Sequence, residues 1–142
     1  MRSFNNDMSY GLQKENEFLN KYKSKLCELF SEDDIKNTKE LYNDGFCKYD
    51  FEGLTNKIQF ELKSRRVKKG HYPTTIIPVH KLNDGTKQVY IFQFTDGCFY
   101  IEYDKELFYT FQRCDISTTR LGKYDKPTPH FLIPINLLIP LD

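Results

Sequence analysis

The stretch Asp50–Lys63, DFEGLTNKIQFELK, decides how this chain is organised. Its second half alternates between apolar and polar residues, with Ile58, Phe60 and Leu62 on one side and Gln59, Glu61 and Lys63 on the other. Side chains of a strand point alternately to opposite faces, so this period predicts a half-buried strand. Gly53 and Asn56 are turn residues, and the stretch therefore predicts a strand–turn–strand unit with Asp50 at the end of its first strand.

Three charged side chains of this unit are candidates for catalysis. Glu61 and Lys63 are two residues apart and share the face opposite the apolar one, where they are free to line a cleft. If the two strands pair antiparallel, Asp50 lies close to Glu61, because neighbouring strands are about 4.8 Å apart. Two such carboxylates suit Mg²⁺, which keeps several waters and takes its other ligands from phosphate. The metal would activate a water, and Lys63 would stabilise the negative charge of the transition state.

A run of basic residues follows the predicted strand. Between Lys57 and Gly70 there are six Lys or Arg residues and one acid, Glu61, which gives a local charge of 6 − 1 = +5. The candidates for binding phosphate are Arg65, Arg66, Lys68 and Lys69. Lys81, after a predicted strand at Thr74–His80, is a further candidate. Binding of this kind is strongly salt-dependent. A solubilising loop, and for Lys81 an ordinary surface lysine, are the alternatives.

The N-terminal part of the chain predicts a helix from about Tyr10 to Phe30. Its apolar residues recur at helical spacing and form one stripe: Leu12, Leu19, Tyr22, Leu26, Leu29 and Phe30. At about 100° per residue, Glu15 falls in the middle of this stripe, so a carboxylate is expected on the buried face. The alternative is an exposed first turn, where acidic residues are favoured.

The rest of the chain predicts mostly strands and turns. We expect a polar segment from Ser31 to Gly45, a meander of three strands from Thr74 to Tyr103 with a hairpin turn at Asn83–Thr86, a short helix at Asp104–Phe111, a polar loop at Cys114–Pro129, a strand at Phe131–Pro134 and a helical turn at Ile135–Ile139. A second acid-x-Lys triplet, Asp34-Ile35-Lys36, lies in the polar segment without a flanking strand pattern. We therefore expect no catalytic role for it.

Length and composition limit the possible classes of protein. The chain has 142 residues, which is one domain (1–142, with a core at about 10–140). A net charge of +1 and 39% hydrophobic residues exclude a polycation and a disordered chain. No stretch approaches the roughly 20 apolar residues of a membrane helix, so we expect no membrane partner. The N-terminal residues lack the apolar core of an export signal, and the cysteines (Cys27, Cys47, Cys98 and Cys114) are widely spaced. We therefore expect an intracellular protein that is not secreted, with reduced thiols.

Two segments of the sequence resemble the core of the PD-(D/E)XK nuclease superfamily: Tyr49-Asp50-Phe51 and Ile58-Gln59-Phe60-Glu61-Leu62-Lys63-Ser64-Arg65. Glu15, in Gly11-Leu12-Gln13-Lys14-Glu15, stands where many members keep an extra acid. The layout of the chain is similar to that of small stand-alone members from large DNA viruses. Tyr49 replaces the proline found before the aspartate in many members, and no glutamine-bearing helix of the recombination exonucleases follows, which argues against a processive exonuclease.

The resemblance implies a fold and an activity. The fold is α/β and restriction-endonuclease-like, with a mixed central β-sheet and an N-terminal helix packed on it. The activity is cleavage of DNA phosphodiester bonds with Mg²⁺ or Mn²⁺, in which Asp50 and Glu61 bind metal, Lys63 acts in catalysis and Glu15 is an accessory acid. The DNA would be duplex or branched. Since one chain offers a single cleft, double-strand cleavage would need a homodimer or two nicking events.

Two other classes of function stay open at this point. The first is a catalytically inactive module on the same fold that binds nucleic acid or another protein. The second is a structural virion or scaffold protein. DNA nicking with Mg²⁺ or Mn²⁺ distinguishes the enzyme from both, and salt-sensitive DNA binding distinguishes the nucleic-acid-binding module from the scaffold.

Overall fold

A long N-terminal helix and two principal sheets make up the structure, a computed structural model that describes residues 4–42, 49–117, 119–120, 123–124 and 126–142. Helix α1 spans Phe4–Phe30 and thus begins six residues before the predicted start. Its buried apolar face consists of Phe18, Leu19, Tyr22, Leu26 and Phe30. Leu29, which we assigned to this face, is 42% exposed. The predicted helix is confirmed. Its apolar face packs on strands of the larger sheet, and the chain forms a single α/β domain.

The strands are short, and some of them lie in segments that we expected to be polar and irregular. In chain order they are β1 (Ile35–Asn37), β2 (Phe51–Gly53), β3 (Gln59–Ser64), β4 (Thr74–Pro78), β5 (Gln88–Phe94), β6 (Gly97–Glu102), β7 (Arg113–Ile116), β8 (Thr119–Arg120), β9 (Lys123–Tyr124), β10 (Thr128–Pro134) and β11 (Ile139–Pro140). The short α-helices are α2 (Thr38–Tyr42) and α3 (Lys105–Phe108), and the 3-10 turns are Lys69–His71, Val79–Lys81 and Ile135–Leu137.

The larger sheet is mixed and has the strand order β1-β2-β3-β5-β6-β11. Strands β3 and β5 are parallel, whereas the other neighbours in this sheet are antiparallel. Strands β2 and β3 form the predicted strand–turn–strand unit, with Phe51 opposite Phe60. A mixed central sheet with the N-terminal helix packed on it is therefore confirmed.

A second sheet corrects the predicted meander. Strand β4 lies in a three-stranded sheet of order β4-β10-β7 and does not pair with β5. The turn at Asn83–Thr86 forms, with the Gly85 N–H donating to Asn83 Oδ1 at 2.9 Å, but no hairpin surrounds it. Turn residues specify a local reversal of the chain, while the partner of a strand depends on burial of its faces. The prediction of three consecutive paired strands was wrong for this reason.

The central strand β5 is buried on both faces, which divides the core in two. Val89 and Ile91 face α1, together with Phe51 and Phe60. On the opposite face are Tyr90, Phe92 and Phe94, which pack against residues of the second sheet and α3: Ile77, Phe108, Phe131 and Ile133. Successive residues of a strand point to opposite faces, so one strand supplies both cores.

Two segments predicted to be polar loops contain strands. The segment after α1 includes β1 and α2, so the triplet Asp34-Ile35-Lys36 does enter a strand, contrary to the expectation from its sequence. The Asp34 carboxylate forms an ion pair with Lys23 of α1 at 2.9 Å. The predicted loop at Cys114–Pro129 contains most of β7, together with β8 and β9. The end of the predicted polar segment (43–45) and Cys47 lie outside the described residues, and the other three cysteines are free thiols.

A buried glutamate holds the end of α1 to the turn between β2 and β3. The helix ends where Ser31 takes a left-handed φ of 56° and the Glu32 N–H donates to the Cys27 carbonyl at 3.0 Å. The Glu32 carboxylate accepts the N–H groups of Thr55 at 2.7 Å and Asn56 at 2.9 Å. This contact fixes the turn, and with it the relative position of β2 and β3. Within the described residues, no helix is long and apolar enough to cross a membrane.

Candidate functional site

Asp50 lies directly before β2, next to the part of β3 that carries Glu61. Strands β2 and β3 pair with Phe51 opposite Phe60, and the ladder ends there. The Asp50 N–H donates to the Phe60 carbonyl at 3.0 Å, and Asp50 Oδ2 accepts the Leu62 N–H at 2.8 Å, so this residue is bonded to both neighbours of Glu61 in the chain. The charge of Glu61 contributes to raising the pKa of Asp50, as expected for two carboxylates that lie close together. The structure thus brings together the two carboxylates that the sequence singled out.

Glu61 Oε1 interacts with two lysines. Lys63 Nζ lies 3.1 Å from this oxygen and Lys81 Nζ lies 3.0 Å from it. The side chains of Glu61 and Lys63 are only 12% and 21% exposed. Lys63 therefore lies beside Glu61 as predicted. Lys81, which the sequence suggested as a phosphate ligand, reaches the same carboxylate from the 3-10 turn Val79–Lys81.

Glu15 approaches the site from α1 and completes an acidic cluster. Its Oε1 accepts the Asn37 side-chain N–H at 2.9 Å and the Lys39 ammonium at 2.7 Å. The side chain is 17% exposed, which agrees with its position on the apolar stripe of the helix. The charge of Glu15 contributes to raising the pKa of Asp50, so the helix carries this acid to the neighbourhood of the strand pair.

The protonation of Asp50 is shifted by its surroundings. The pKa of Asp50 is raised to about 6, chiefly by burial and in addition by the charges of Glu15 and Glu61. The Leu62 N–H donates to Asp50 Oδ2 at 2.8 Å, which opposes this shift because it stabilises the ionised carboxylate. Burial likewise lowers the pKa of Lys63, with the Glu61 carboxylate acting in the other direction. A carboxyl that titrates near neutrality marks a candidate functional site.

The arrangement offers a divalent cation two carboxylates. Among the residues that the structure describes, no three or more His, Cys, Asp and Glu side chains are grouped so that they could hold a metal ion by themselves. In the same part of the chain Glu15 and Glu61 have ion pairs, whereas Asp50 has none. A cation at Asp50 and Glu61 would therefore need water and phosphate oxygens as its other ligands, which is the usual situation of Mg²⁺.

The sequence did not indicate three other residues of the site. Tyr90 is opposite Glu61 in the parallel β3–β5 ladder, and its buried hydroxyl has no hydrogen-bond partner in the described part of the chain. Asn37 and Lys39 lie in the segment that we expected to be an irregular polar one. The alternation of Ile35, Lys36 and Asn37 was the available signal for β1 there, whereas nothing local connects Lys39 to Glu15.

The predicted phosphate-binding residues have different environments. Arg65 is half-buried: its Nε donates to Thr75 Oγ1 at 3.2 Å, and an Nη donates to the Ile76 carbonyl at 2.9 Å. Arg66 and Lys68 are exposed. The Lys69 ammonium lies 4.6 Å from the centre of the Phe99 ring, and its backbone N–H donates to Asp96. The structure thus leaves Arg66 and Lys68 accessible, while Arg65 links β4 to the end of β3.

Comparisons of the chain with protein-family models, with curated proteins and with solved structures gave no match. The features of this chain that bear on its function are the cluster of Asp50, Glu61, Lys63 and Glu15 and the basic residues that follow β3.

Proposed function

We propose that this protein is a divalent-metal-dependent endodeoxyribonuclease that hydrolyses phosphodiester bonds of DNA on a restriction-endonuclease-like fold. One observation carries the proposal: Asp50 is bonded to the β3 residues on either side of Glu61, Phe60 and Leu62, and Lys63 lies 3.1 Å from the Glu61 carboxylate. Two neighbouring acids with a lysine beside them suit a reaction in which an oxygen nucleophile attacks phosphorus and negative charge increases.

Asp50 and Glu61 are the residues that would hold Mg²⁺ or Mn²⁺. The metal would supply an activated water at neutral pH and neutralise charge on the phosphate. The environment of Asp50 fits a cation, because this carboxylate is half-buried beside two other acids and is the member of the cluster without an ion pair among the described residues. A buried carboxylate is stabilised by a nearby positive charge.

The lysines of the cluster stabilise negative charge near the scissile phosphate. Lys63 keeps a half-buried ammonium beside Glu61, where it can contact a phosphate oxygen as a point charge. Lys81 holds Glu61 from the other side at 3.0 Å and so fixes its carboxylate. Glu15 acts as an accessory acid that positions Lys39, at 2.7 Å, next to Asp50.

DNA is the substrate that the charge distribution favours. The segment between Lys57 and Gly70 carries a net charge of +5 in a chain whose total is +1. Arg66 and Lys68 are exposed and follow directly on the strand that holds Glu61 and Lys63. Neutralising backbone phosphates releases counterions, so binding should weaken steeply with salt. DNA as the substrate implies that the protein acts inside a cell, in the cytoplasm or nucleus, and in a host cell if the protein is viral. Cleavage of both strands would require a homodimer or two nicking events.

The test is nicking of supercoiled plasmid with Mg²⁺ or Mn²⁺. Glu61→Gln should abolish nicking, and Lys63→Ala should slow it by roughly 100- to 1000-fold, the usual loss for one electrostatic stabiliser. The second acid-x-Lys triplet supplies matched controls, since Asp34→Asn and Lys36→Ala change the same residue types outside the cluster and should leave nicking unchanged. Metal-dependent nicking that survives Glu61→Gln would contradict the assignment of the site.

One observation favours a second function, a catalytically inactive nucleic-acid-binding module on the same fold. Glu61 Oε1 is already bound by two ammonium groups, which compete with a metal ion for the same oxygen. Such a module would bind DNA through Arg66 and Lys68, and Mg²⁺ would weaken this binding only as any other salt does. It would produce no nicks at any metal concentration.

A further inference from the structure

A groove with a basic rim begins where β3 ends. It has a volume of about 460 Å³ and is bounded by the segment after β3 and by the start of β4. Its apolar walls include Val67, Tyr72, Pro73, Ile76 and Phe94, and Lys68 lies at its edge. The volume is in the range of pockets that hold small organic ligands.

The groove adjoins the acidic cluster along one strand direction. Glu61, Lys63 and Arg65 are each two residues apart, and the Arg65 N–H donates to the Gln93 carbonyl at 2.9 Å, so the ladder continues past the end of β3. Residues two apart in a strand share a face and are separated by roughly 7 Å. Arg65 lines the groove, which therefore begins about one such step beyond Lys63.

The chemistry of the groove fits a nucleobase with its phosphates. Two aromatic residues line the groove: Tyr72, which is 57% exposed, and the buried Phe94. Arg65, Lys68 and Lys69 line the groove beside this apolar surface, and they belong to the segment of charge +5. A flat apolar ring flanked by negative charges is complementary to both features, whereas an apolar peptide would leave the positive charges without a counterpart.

We propose that this groove receives an unstacked base of the strand that is cleaved, and hence that the substrate contains an unpaired segment next to the scissile phosphate. The proposal rests on the proposed function, because it takes the cluster at Asp50 and Glu61 as the point of cleavage. A base inside an intact duplex would first have to be unstacked and unpaired, at a cost of a few kcal/mol. A single-stranded stretch beside the cut avoids this cost.

The test separates binding from cleavage. Oligonucleotides that carry 2-aminopurine, as a single strand and as the matched duplex, are titrated with protein in EDTA, where no hydrolysis occurs. Stacking on Tyr72 should quench the fluorescence of the single strand. Tyr72→Ala and Tyr72→Leu should weaken single-strand binding by roughly 5- to 150-fold, the usual loss for one stacked base, with duplex binding unchanged. Tyr72→Phe keeps the ring and should bind like the wild type.

A lysine variant provides the contrasting control. Lys68→Ala should weaken both DNA forms equally and reduce the dependence of binding on salt, since it removes a phosphate contact and no stacking surface. With Mg²⁺, the wild type should cleave DNA with an unpaired segment at least 10-fold faster than the matched duplex.

The outcomes distinguish the two proposals. Equal weakening of single-strand and duplex binding by Tyr72→Ala, or unquenched 2-aminopurine, would overturn the role of the groove, even if plasmid nicking depends on Glu61. Tyr72-dependent binding of single strands by a protein that cleaves no DNA would support the groove as a base-binding site and refute the nuclease function.

Discussion

Replacing Asp50 by asparagine should increase the stability of the protein near neutral pH. The carboxylate is half-buried and close to the charges of Glu15 and Glu61, so its ionised form is disfavoured in the folded state. Asparagine has nearly the same shape, carries no charge, and its side-chain oxygen can still accept the Leu62 N–H that now donates to Asp50 Oδ2 at 2.8 Å. The substitution therefore removes the unfavourable charge and keeps the hydrogen bond.

The size of the effect follows from the pKa of Asp50, which is raised from 3.8 to about 6 in the folded protein. This is a difference of about 2 pKa units, each equivalent to 1.36 kcal/mol, so ionisation costs the fold about 3 kcal/mol. As pH rises from about 4 to 6, the unfolded chain loses this proton first. The stability of the wild type therefore falls over that window, and above pH 6 it is lower by the full cost of ionising Asp50.

Urea unfolding of the wild type and Asp50→Asn at several pH values measures this quantity. The variant should be more stable by about 3 kcal/mol at pH 8, and the two proteins should converge at about pH 3, where Asp50 is mostly protonated in both states. Asp34→Asn is the control. Its ion pair with Lys23 lowers the pKa of Asp34, so removing this charge should reduce stability at neutral pH.

Divalent metal ions extend the same experiment to the proposed site. A ligand that binds only the folded state stabilises it by about 2.7 kcal/mol at 100 times its Kd. Mg²⁺ should therefore raise the midpoint of wild-type unfolding and leave Asp50→Asn nearly unchanged. An Asp50→Asn variant that is less stable than the wild type at pH 8, or a stability difference that is the same at pH 3 and pH 8, would show that the ionised Asp50 carboxylate does not destabilise the fold.

Two further substitutions test the support of the site. A Cβ added at Gly53 would lie 2.0 Å from the Glu32 carboxyl carbon. Gly53→Ala should therefore destabilise the protein by roughly 1 to 3 kcal/mol in urea unfolding. An unchanged unfolding midpoint would mean that Glu32 does not hold this turn. Tyr90→Phe removes a buried hydroxyl that has no hydrogen-bond partner in the described part of the chain. Thermal unfolding should show unchanged stability or a gain of about 1 kcal/mol. A clear loss of stability would show that the hydroxyl has a partner, such as a buried water.

The sequence was sufficient for features that depend on local periods. Alternation from Ile58 to Lys63 predicted β3 and the face that carries Glu61, and the i to i+2 relation put Lys63 beside it. Helical spacing put Glu15 on the apolar side of α1, where it is now seen with Lys39. These relations hold within one element, so they need no knowledge of the tertiary structure.

Pairing between distant segments could not be predicted in the same way. Strand β4 pairs with β10, more than fifty residues later, although a strong turn signal at Asn83–Thr86 suggested pairing with β5. Strand β5 pairs in parallel with β3, and its residues Gln88–Phe94 are buried on both faces, so they lack the alternation that reveals a half-buried strand. Lys81 and Lys39 reach the site through long-range contacts, which explains why the sequence did not predict their ion pairs with Glu61 and Glu15.

The unequal distribution of ion pairs makes Asp50 the residue through which a cation would act. Glu15 is paired with Lys39, and Glu61 is paired with two lysines. Asp50 is half-buried near the same acids without an ammonium group in contact among the described residues, and its pKa is raised to about 6. Binding of a divalent cation should therefore release a proton chiefly from Asp50 and chiefly near pH 6, whereas a protein without a metal site would show no proton release when Mg²⁺ is added at that pH.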